Sequence, residues 1–322
     1  MGSIAEQGRF QIKPLHNTFA CEISGPDLSQ PLSEAEFQEL TDILAEYGVA
    51  IIRQTKATDE SLIALGRQWG ELDSVAQHYK SGKIKPRIPY YEIFDVGNLN
   101  DKNEIVNIQH DPHRSASANG NATWHTDGAF NPRRTGISIL RGVELPPPGT
   151  GGHTEYLDSR QAYDDLSPEM KEKLEGLVTC NSLYHNRKVA NPDSPLFKDI
   201  NVMDHITARH KLIQIHEPSG RKNIYLSSYA HHIEGMDIEE GQALLKQVWD
   251  HCLQEKYIFC HHWENNNDVA FWDNTCVLHR ATHGAYEGKF RRDMRRVSVF
   301  DMSKWGYGEN RVEDAIGQAP SQ

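Results

Sequence analysis

The chain has 322 residues, with 34 Lys and Arg against 45 Asp and Glu and a formal net charge of −11. No basic stripe relieves that acidic balance, which argues against a nucleic-acid partner, and no apolar run approaches the ~18 residues of a membrane span. The five cysteines (Cys21, Cys180, Cys252, Cys260 and Cys276) are odd in number and form no Cys-x-x-Cys pair, so they read as reduced thiols, not as a disulfide frame or zinc site. Met1 to Gln7 lacks the basic and apolar regions of a signal peptide. The expectation is a cytoplasmic protein built as one domain over residues 1–322, long enough to bury a large core. A homo-oligomer is compatible with all of these features.

The first segment reads as helices that cover a sheet. Ser33 and Glu36 form a capping box before an apolar face of Phe37, Leu40, Leu44 and Tyr47, and Gly48 is a natural stop. Val49 to Arg53 follows as a short buried strand. A second helix is expected from about Thr58 to Trp69, ending at Gly70. Residues 71–122 read as irregular, with a basic loop at Lys80 to Arg87 and loop-like stretches at Asn100 to Asn103 and Ser115 to Asn121. From residue 124 onward short strands recur at Ile137–Leu145, Lys211–His216, Asn223–Leu226, Tyr257–Trp263, Asp268–Trp272 and Arg296–Phe300. Turn residues separate them, the pattern of a β-sandwich or jelly roll. Two further helices interrupt the series. One is capped by Ser167 with Pro168 at its first position, and one is capped by Asp237.

Chemistry concentrates in Gly120-Asn121-Ala122-Thr123-Trp124-His125-Thr126-Asp127. If this stretch is extended, His125 and Asp127 point to one face and can hold one metal. With 17 histidines, about one His-x-Asp is expected by chance. His153/Glu155, His232/Glu234 and His262/Glu264 offer similar pairs, so the spacing alone does not decide. The C-terminal third adds His279 just after Trp272-Asp273-Asn274, then Arg292 and Arg296 four residues apart. Two imidazoles and a carboxylate make the facial triad of non-haem Fe(II) oxygenases, with three positions left open. A guanidinium beside such a triad suits an acidic cosubstrate, because its paired donors match a carboxylate.

Trp124-His125-Thr126-Asp127, Gly151-Gly152-His153-Thr154, Trp272-Asp273-Asn274 with His279, and Arg292-x-Met294-x-Arg296 together resemble the TauD/TfdA family of Fe(II)- and 2-oxoglutarate-dependent dioxygenases. The resemblance covers nearly the whole chain. It extends to Pro14 to Leu28, Ser219 to Lys222 and His232 to Gly235, and lies toward the 2,4-dichlorophenoxyacetate dioxygenase branch. It implies an α+β, mainly β fold: a double-stranded β-helix (jelly-roll, cupin-like) core with flanking helices. It implies that His125, Asp127 and His279 ligate Fe(II), and that Thr154 and Arg292 hold the far carboxylate of 2-oxoglutarate. O₂ is the co-oxidant, and succinate and CO₂ are products. Arg296 is expected near the primary substrate or in support of the cosubstrate, and Asn121 at the substrate pocket. His283 and one of Tyr90 and Tyr91 are further expected substrate contacts.

The remaining histidines read differently. His153 yields to Thr154 in the resemblance. The His231/His232 and His261/His262 doublets read as surface or packing residues, since strand neighbours face opposite ways. Arg291 and Arg295 are expected to alternate outward and Arg280 to make an ion pair. The anticipated substrate is a small anion, carboxylate- or amino-acid-like, oxidised at a C–H bond. The same cofactor chemistry also serves desaturation, cyclisation and C–X cleavage, and sulfonates are an alternative substrate class. A cupin of other chemistry or a zinc hydrolase would show His-x-His, which this chain lacks. A binding protein that keeps the fold without turnover is the remaining alternative.

Overall fold

The computed structural model describes residues 8–79 and 86–315. A seven-stranded sheet forms its backbone, in the order Gln11–Pro14, Cys21–Ser24, Val49–Ile52, Val269–Asp273, Thr135–Glu144, Asp293–Phe300 and Ile93–Asp95. Facing it are smaller sheets. One runs Ile258–His261, Thr154–Asp158, Val277–Ala281; another runs Ala230–Ile233, Val178–Asn181, Ala208–Lys211; Ile213–His216 and Arg221–Ile224 form a hairpin. The result is the mixed α+β jelly roll of the sequence expectation.

The large sheet is covered on both faces, and its central strands show why. Val49, Ile51, Ala270, Trp272 and Leu140 point into the barrel, where they meet Tyr156 and Val277. Ala50, Ile52, Val269, Phe271 and Ile139 point the other way, against Leu40, Leu44, Leu62 and Leu65 of the two N-terminal helices. The alternation follows the two-residue period of a strand, and the antiparallel register of Val269 on Ile52 and Phe271 on Ala50 keeps the faces aligned.

Those helices begin and end where their caps dictate. Helix Glu34–Tyr47 starts at Ser33, whose hydroxyl accepts from Glu36 N–H while Glu36 accepts from Ser33 N–H. It ends at Gly48 with φ 69°, a left-handed position that suits glycine. Helix Asp59–Trp69 is capped by Thr58 in the same way. Pro168–Leu174 and Ile238–Cys252 start at the caps Ser167 and Asp237.

Three departures from expectation bear on the site. Ser115 to Asn121 is not loop but part of helix Pro112–Asn121, capped by Asp111 with proline in the first turn. A helix at Leu183–Ala190, which Ser182 precedes without a side-chain cap, packs against it. The expected strand Lys211–His216 is two strands broken at Leu212, each pairing in a different sheet. Most of the basic loop lies outside the described residues. Arg87 at its end is bound by Asp95 and Asp293, so it is not free for a small anion. Among the described residues no helix is long and apolar enough to cross a membrane. All five cysteines are free thiols.

Candidate metal centre and anion cradle

His125 and His279 meet across an isolated antiparallel bridge, each accepting the other's N–H at 3.0 and 2.8 Å. The bridge joins the segment after helix Pro112–Asn121 to strand Val277–Ala281. Extended geometry therefore holds only at His125; Asp127 already lies in the turn that follows. The turn still swings its carboxylate back. His125 Nε2 is 3.9 Å and His279 Nε2 3.7 Å from Asp127 Oδ1, and all three residues are buried. An ion bonded at ~2.1 Å to each atom fits such separations.

The tautomer favours ligation. His125 Nδ1 donates to Thr123 O at 2.8 Å, which leaves the lone pair on Nε2. Burial pushes both imidazoles down from their ordinary value, toward the neutral form that binds metal. Burial works to raise Asp127, but Arg296, His279 and His125 overrule it and hold the carboxyl at about 2.

Asp127 is fixed from behind by Ser138, which the sequence did not single out, and by Asn274 of the Trp272-Asp273-Asn274 motif. Ser138 Oγ donates to Oδ2 at 2.8 Å, and Asp127 N–H donates to Asn274 Oδ1 at 2.9 Å. Asn274 Oδ1 also accepts from Trp272 Nε1, while Asn274 Nδ2 donates to Ser138 Oγ and Gly136 O. The Trp272-Asp273-Asn274 motif thus ties strand Val269–Asp273 to the carboxylate, with the Trp272 ring 4.7 Å from that of His279. Asp273 itself binds His216 on another side. Arg296, expected at the substrate or cosubstrate, donates through Nη1 to Asp127 Oδ1 at 2.8 Å.

Arg292 is different. It is buried; its guanidinium donates to the carbonyls of Val96 at 3.2 Å and Gly152 at 3.4 Å and lies over the Tyr286 ring at 5.7 Å. Its Nε has no partner. Burial pushes it down from the usual guanidinium value, with Tyr286 and Glu287 pulling back. Gly152 leaves the space beside it open: a Cβ there would lie 3.0 Å from Tyr286 and 3.3 Å from Arg292 Nε. Two residues on, Thr154 Oγ1 accepts from Trp263 Nε1 at 3.1 Å, so its own proton is available to another acceptor. A buried cation with an unsatisfied donor and a neighbouring hydroxyl donor is chemistry that an anion completes.

Tyr90 gives its hydroxyl to Glu60, and its ring packs on the cluster under helix Asp59–Trp69. Tyr91 is exposed and lies near the Tyr79 ring. His283 is half-exposed and bonds Glu287 at 2.7 Å. Asn121 is the last residue of its helix and is half-buried. Of the doublets, His261 is fully buried as a packing residue, and the His262 ring lies 4.1 Å from that of His153. Arg291 pairs with Glu144, Arg295 with Asp59 and Asp293, and Arg280 with Glu155.

Fold and site together define an Fe(II)- and 2-oxoglutarate-dependent dioxygenase, and comparison with known proteins agrees. The model of the taurine catabolism dioxygenase TauD, TfdA family matches residues 11–298. The alpha-ketoglutarate-dependent 2,4-dichlorophenoxyacetate dioxygenase of Cupriavidus pinatubonensis is 30% identical over 288 residues, 89% of this chain and 96% of that one. The (S)-phenoxypropionate/alpha-ketoglutarate-dioxygenase of Sphingobium herbicidovorans is 27% identical over 280 residues, 85% and 89% of the two chains. The crystal structure of AAD-2 in complex with Mn(II) and N-oxalylglycine matches with a TM-score of 0.78 and 28% identity, covering 91% of this chain and 98% of its own. This chain belongs to the TauD, TfdA family.

Proposed function

We propose that His125, Asp127 and His279 hold the Fe(II), that Arg292 and Thr154 hold the far carboxylate of 2-oxoglutarate, and that the enzyme oxidises a C–H bond of a small carboxylate. The observation that carries the ligand assignment is the convergence of two imidazole Nε2 atoms on one buried Asp127 oxygen. The absence of a thiol from this set favours Fe(II) over structural zinc. Fe(II), when bound, supplies the O₂ chemistry that couples decarboxylation of 2-oxoglutarate to oxidation of the substrate. The chain's own residues bind, orient and exclude water. Thr123 fixes the His125 tautomer; Ser138, Asn274 and Arg296 fix the Asp127 carboxylate; Arg292 supplies a permanent charge where the cosubstrate tail would end. A carboxylate substrate follows the acids in the names of the two relatives given above. The free thiols suit a cytoplasmic location.

The test is a screen of carboxylic and amino acids with Fe(II) and 2-oxoglutarate, followed by succinate release and product mass. A gain of one oxygen identifies hydroxylation, a loss of two hydrogens desaturation, and fragmentation C–X cleavage. His125→Ala and Asp127→Ala are each expected to abolish Fe(II)-dependent succinate formation. Turnover at the wild-type rate in both would show that the metal is held elsewhere.

A further inference from the structure

Among the described residues, two arginines that are not surface-exposed form no ion pair with a carboxylate. One is Arg292. The other is Arg187, on helix Leu183–Ala190. Arg134, Arg141, Arg160 and Arg296, by contrast, each have an acidic partner. Arg187 Nη1 donates to the Asn186 side chain at 2.7 Å and Nη2 reaches Ser117 Oγ at 3.5 Å. Both partners are neutral. Burial pushes its guanidinium down from the usual value, with Tyr229 pulling it back.

Its position relates it to the metal centre. Its charge is felt at His125, where it adds to the forces that keep the imidazole neutral, and at Tyr229, whose ring lies 6.0 Å from the His125 ring. Asn186, which Arg187 grips, donates to Thr123 Oγ1 and Ser228 Oγ at 2.8 Å each. Thr123 is the residue whose carbonyl fixes His125. The guanidinium also occupies the space above Gly120: a Cβ there would lie 1.8 Å from Arg187 Nη1 and 2.5 Å from Asn186 Oδ1. Helix Pro112–Asn121 therefore needs glycine at this point to admit the charge beside the metal-binding segment. A cation brought inward, seated by neutral hydrogen bonds and given no internal counter-ion is arranged for an external anion.

We propose that Arg187 binds the carboxylate of the primary substrate, on the His125 side of the triad, as a counterpart to Arg292 on the Gly152 side. This rests on the functional reading above and names the group that recognises the substrate. Arg296 is already committed to Asp127, so it leaves this role open.

The test is anaerobic isothermal titration of the Fe(II)- and 2-oxoglutarate-loaded full chain. The probes are phenoxyacetate, 3-phenylpropionate and hexanoate, each beside its primary amide. The wild type is expected to bind at least one acid about 100-fold more tightly than its amide, the size of effect that a charge-paired carboxylate commands. Arg187→Gln should erase that preference and Arg187→Lys restore part of it. In both variants the visible charge-transfer band of Fe(II) with 2-oxoglutarate should stay, which reports an intact fold and cosubstrate site. Acids that bind no better than amides in the wild type overturn the proposal without any variant. So does an Arg187→Gln protein that keeps both the band and the full preference. Absence of the band from the wild type would instead bring down the functional reading itself.

Discussion

Arg296 Nη1 lies 2.8 Å from Asp127 Oδ1, the same oxygen toward which His125 and His279 turn their Nε2 atoms. One carboxylate is therefore shared between a fixed cation and the proposed metal position. A guanidinium in this place sets the carboxylate's rotation and keeps it ionised when no metal is bound. Arg296→Gln should weaken metal binding by about 10- to 100-fold, the usual effect of losing an outer partner of a ligand. Mn(II) titration of the apo-protein measures this directly. An unchanged affinity would mean that Ser138 and Asn274 hold Asp127 without help.

Asn274 offers the complementary case, because its effect is geometric and not electrostatic. Its amide joins Asp127 N–H, Trp272 Nε1, Gly136 O and Ser138 Oγ, all in a fully buried place. Asn274→Ala leaves at least the Trp272 and Asp127 donors unpaired, and each such loss costs about 1–3 kcal/mol. The variant should unfold at lower urea concentration and bind Mn(II) less tightly. Loss of metal affinity with unchanged stability would show that the network orients the ligand without supporting the fold.

The contrast between these residues and the sequence reading has physical causes. The caps Ser33, Ser167 and Asp237 were legible because capping is a local contract between residues two or three apart. The buried strand Val49–Ile52 was legible as an apolar run. Helix Pro112–Asn121 was not, because Ser, Asn and Gly dominate it and have poor helix propensity; Asp111-Pro112 was the available signal, a capping residue before a first-turn proline. His125, Asp127 and His279 could be singled out as candidates because the motifs around them resemble a family pattern; the His-x-Asp spacing alone did not separate them from the other histidine pairs. What Arg296 faces could not be read, since period-two alternation gives a side and not a partner. Arg187 carried no motif at all, and only its lack of a carboxylate in three dimensions sets it apart from other arginines.

Arg292 makes a prediction that separates function from stability. A buried guanidinium whose hydrogen bonds go to carbonyls and which has no ion-pair partner is a burden on the empty protein. Arg292→Ala should leave apo stability unchanged or raise it, while 2-oxoglutarate binding weakens by ~2–5 kcal/mol, about 30- to 4,000-fold. Urea unfolding of the metal-loaded protein with and without 2-oxoglutarate reads both effects. At a ligand concentration 100 times the wild-type Kd the wild type should gain about 2.7 kcal/mol, and the variant at that same concentration between about 0.9 kcal/mol and almost nothing. Equal gains in both would place the carboxylate clamp on another residue.

His216 and Asp273 supply the pH dependence. His216 Nε2 and Asp273 Oδ2 are 2.9 Å apart, with Ser219 Oγ on the other ring nitrogen at 2.6 Å. Burial works against the imidazolium, but Cys276 and Asp273 overrule it and raise His216 to about 10. Burial likewise works against the Asp273 carboxylate, and His216 overrules it. A folded-state value raised above the ordinary ~6.5 of histidine gives a contribution that is complete below that ordinary value and disappears as the pH climbs toward 10. Removing one partner of a buried pair costs about 3–5 kcal/mol, so His216→Gln should be destabilised by that order near neutral pH. Its deficit against the wild type should shrink steadily from about pH 7 to about pH 10 in urea unfolding. The pair ties the hairpin Ile213–His216/Arg221–Ile224 to the strand Val269–Asp273 that leads into Asn274. The variant should therefore also loosen the Asp127 network at neutral pH, seen as weaker Mn(II) binding. A deficit that stays constant across this range would show that His216 is neutral in the folded protein and that its bond to Asp273 is an ordinary hydrogen bond.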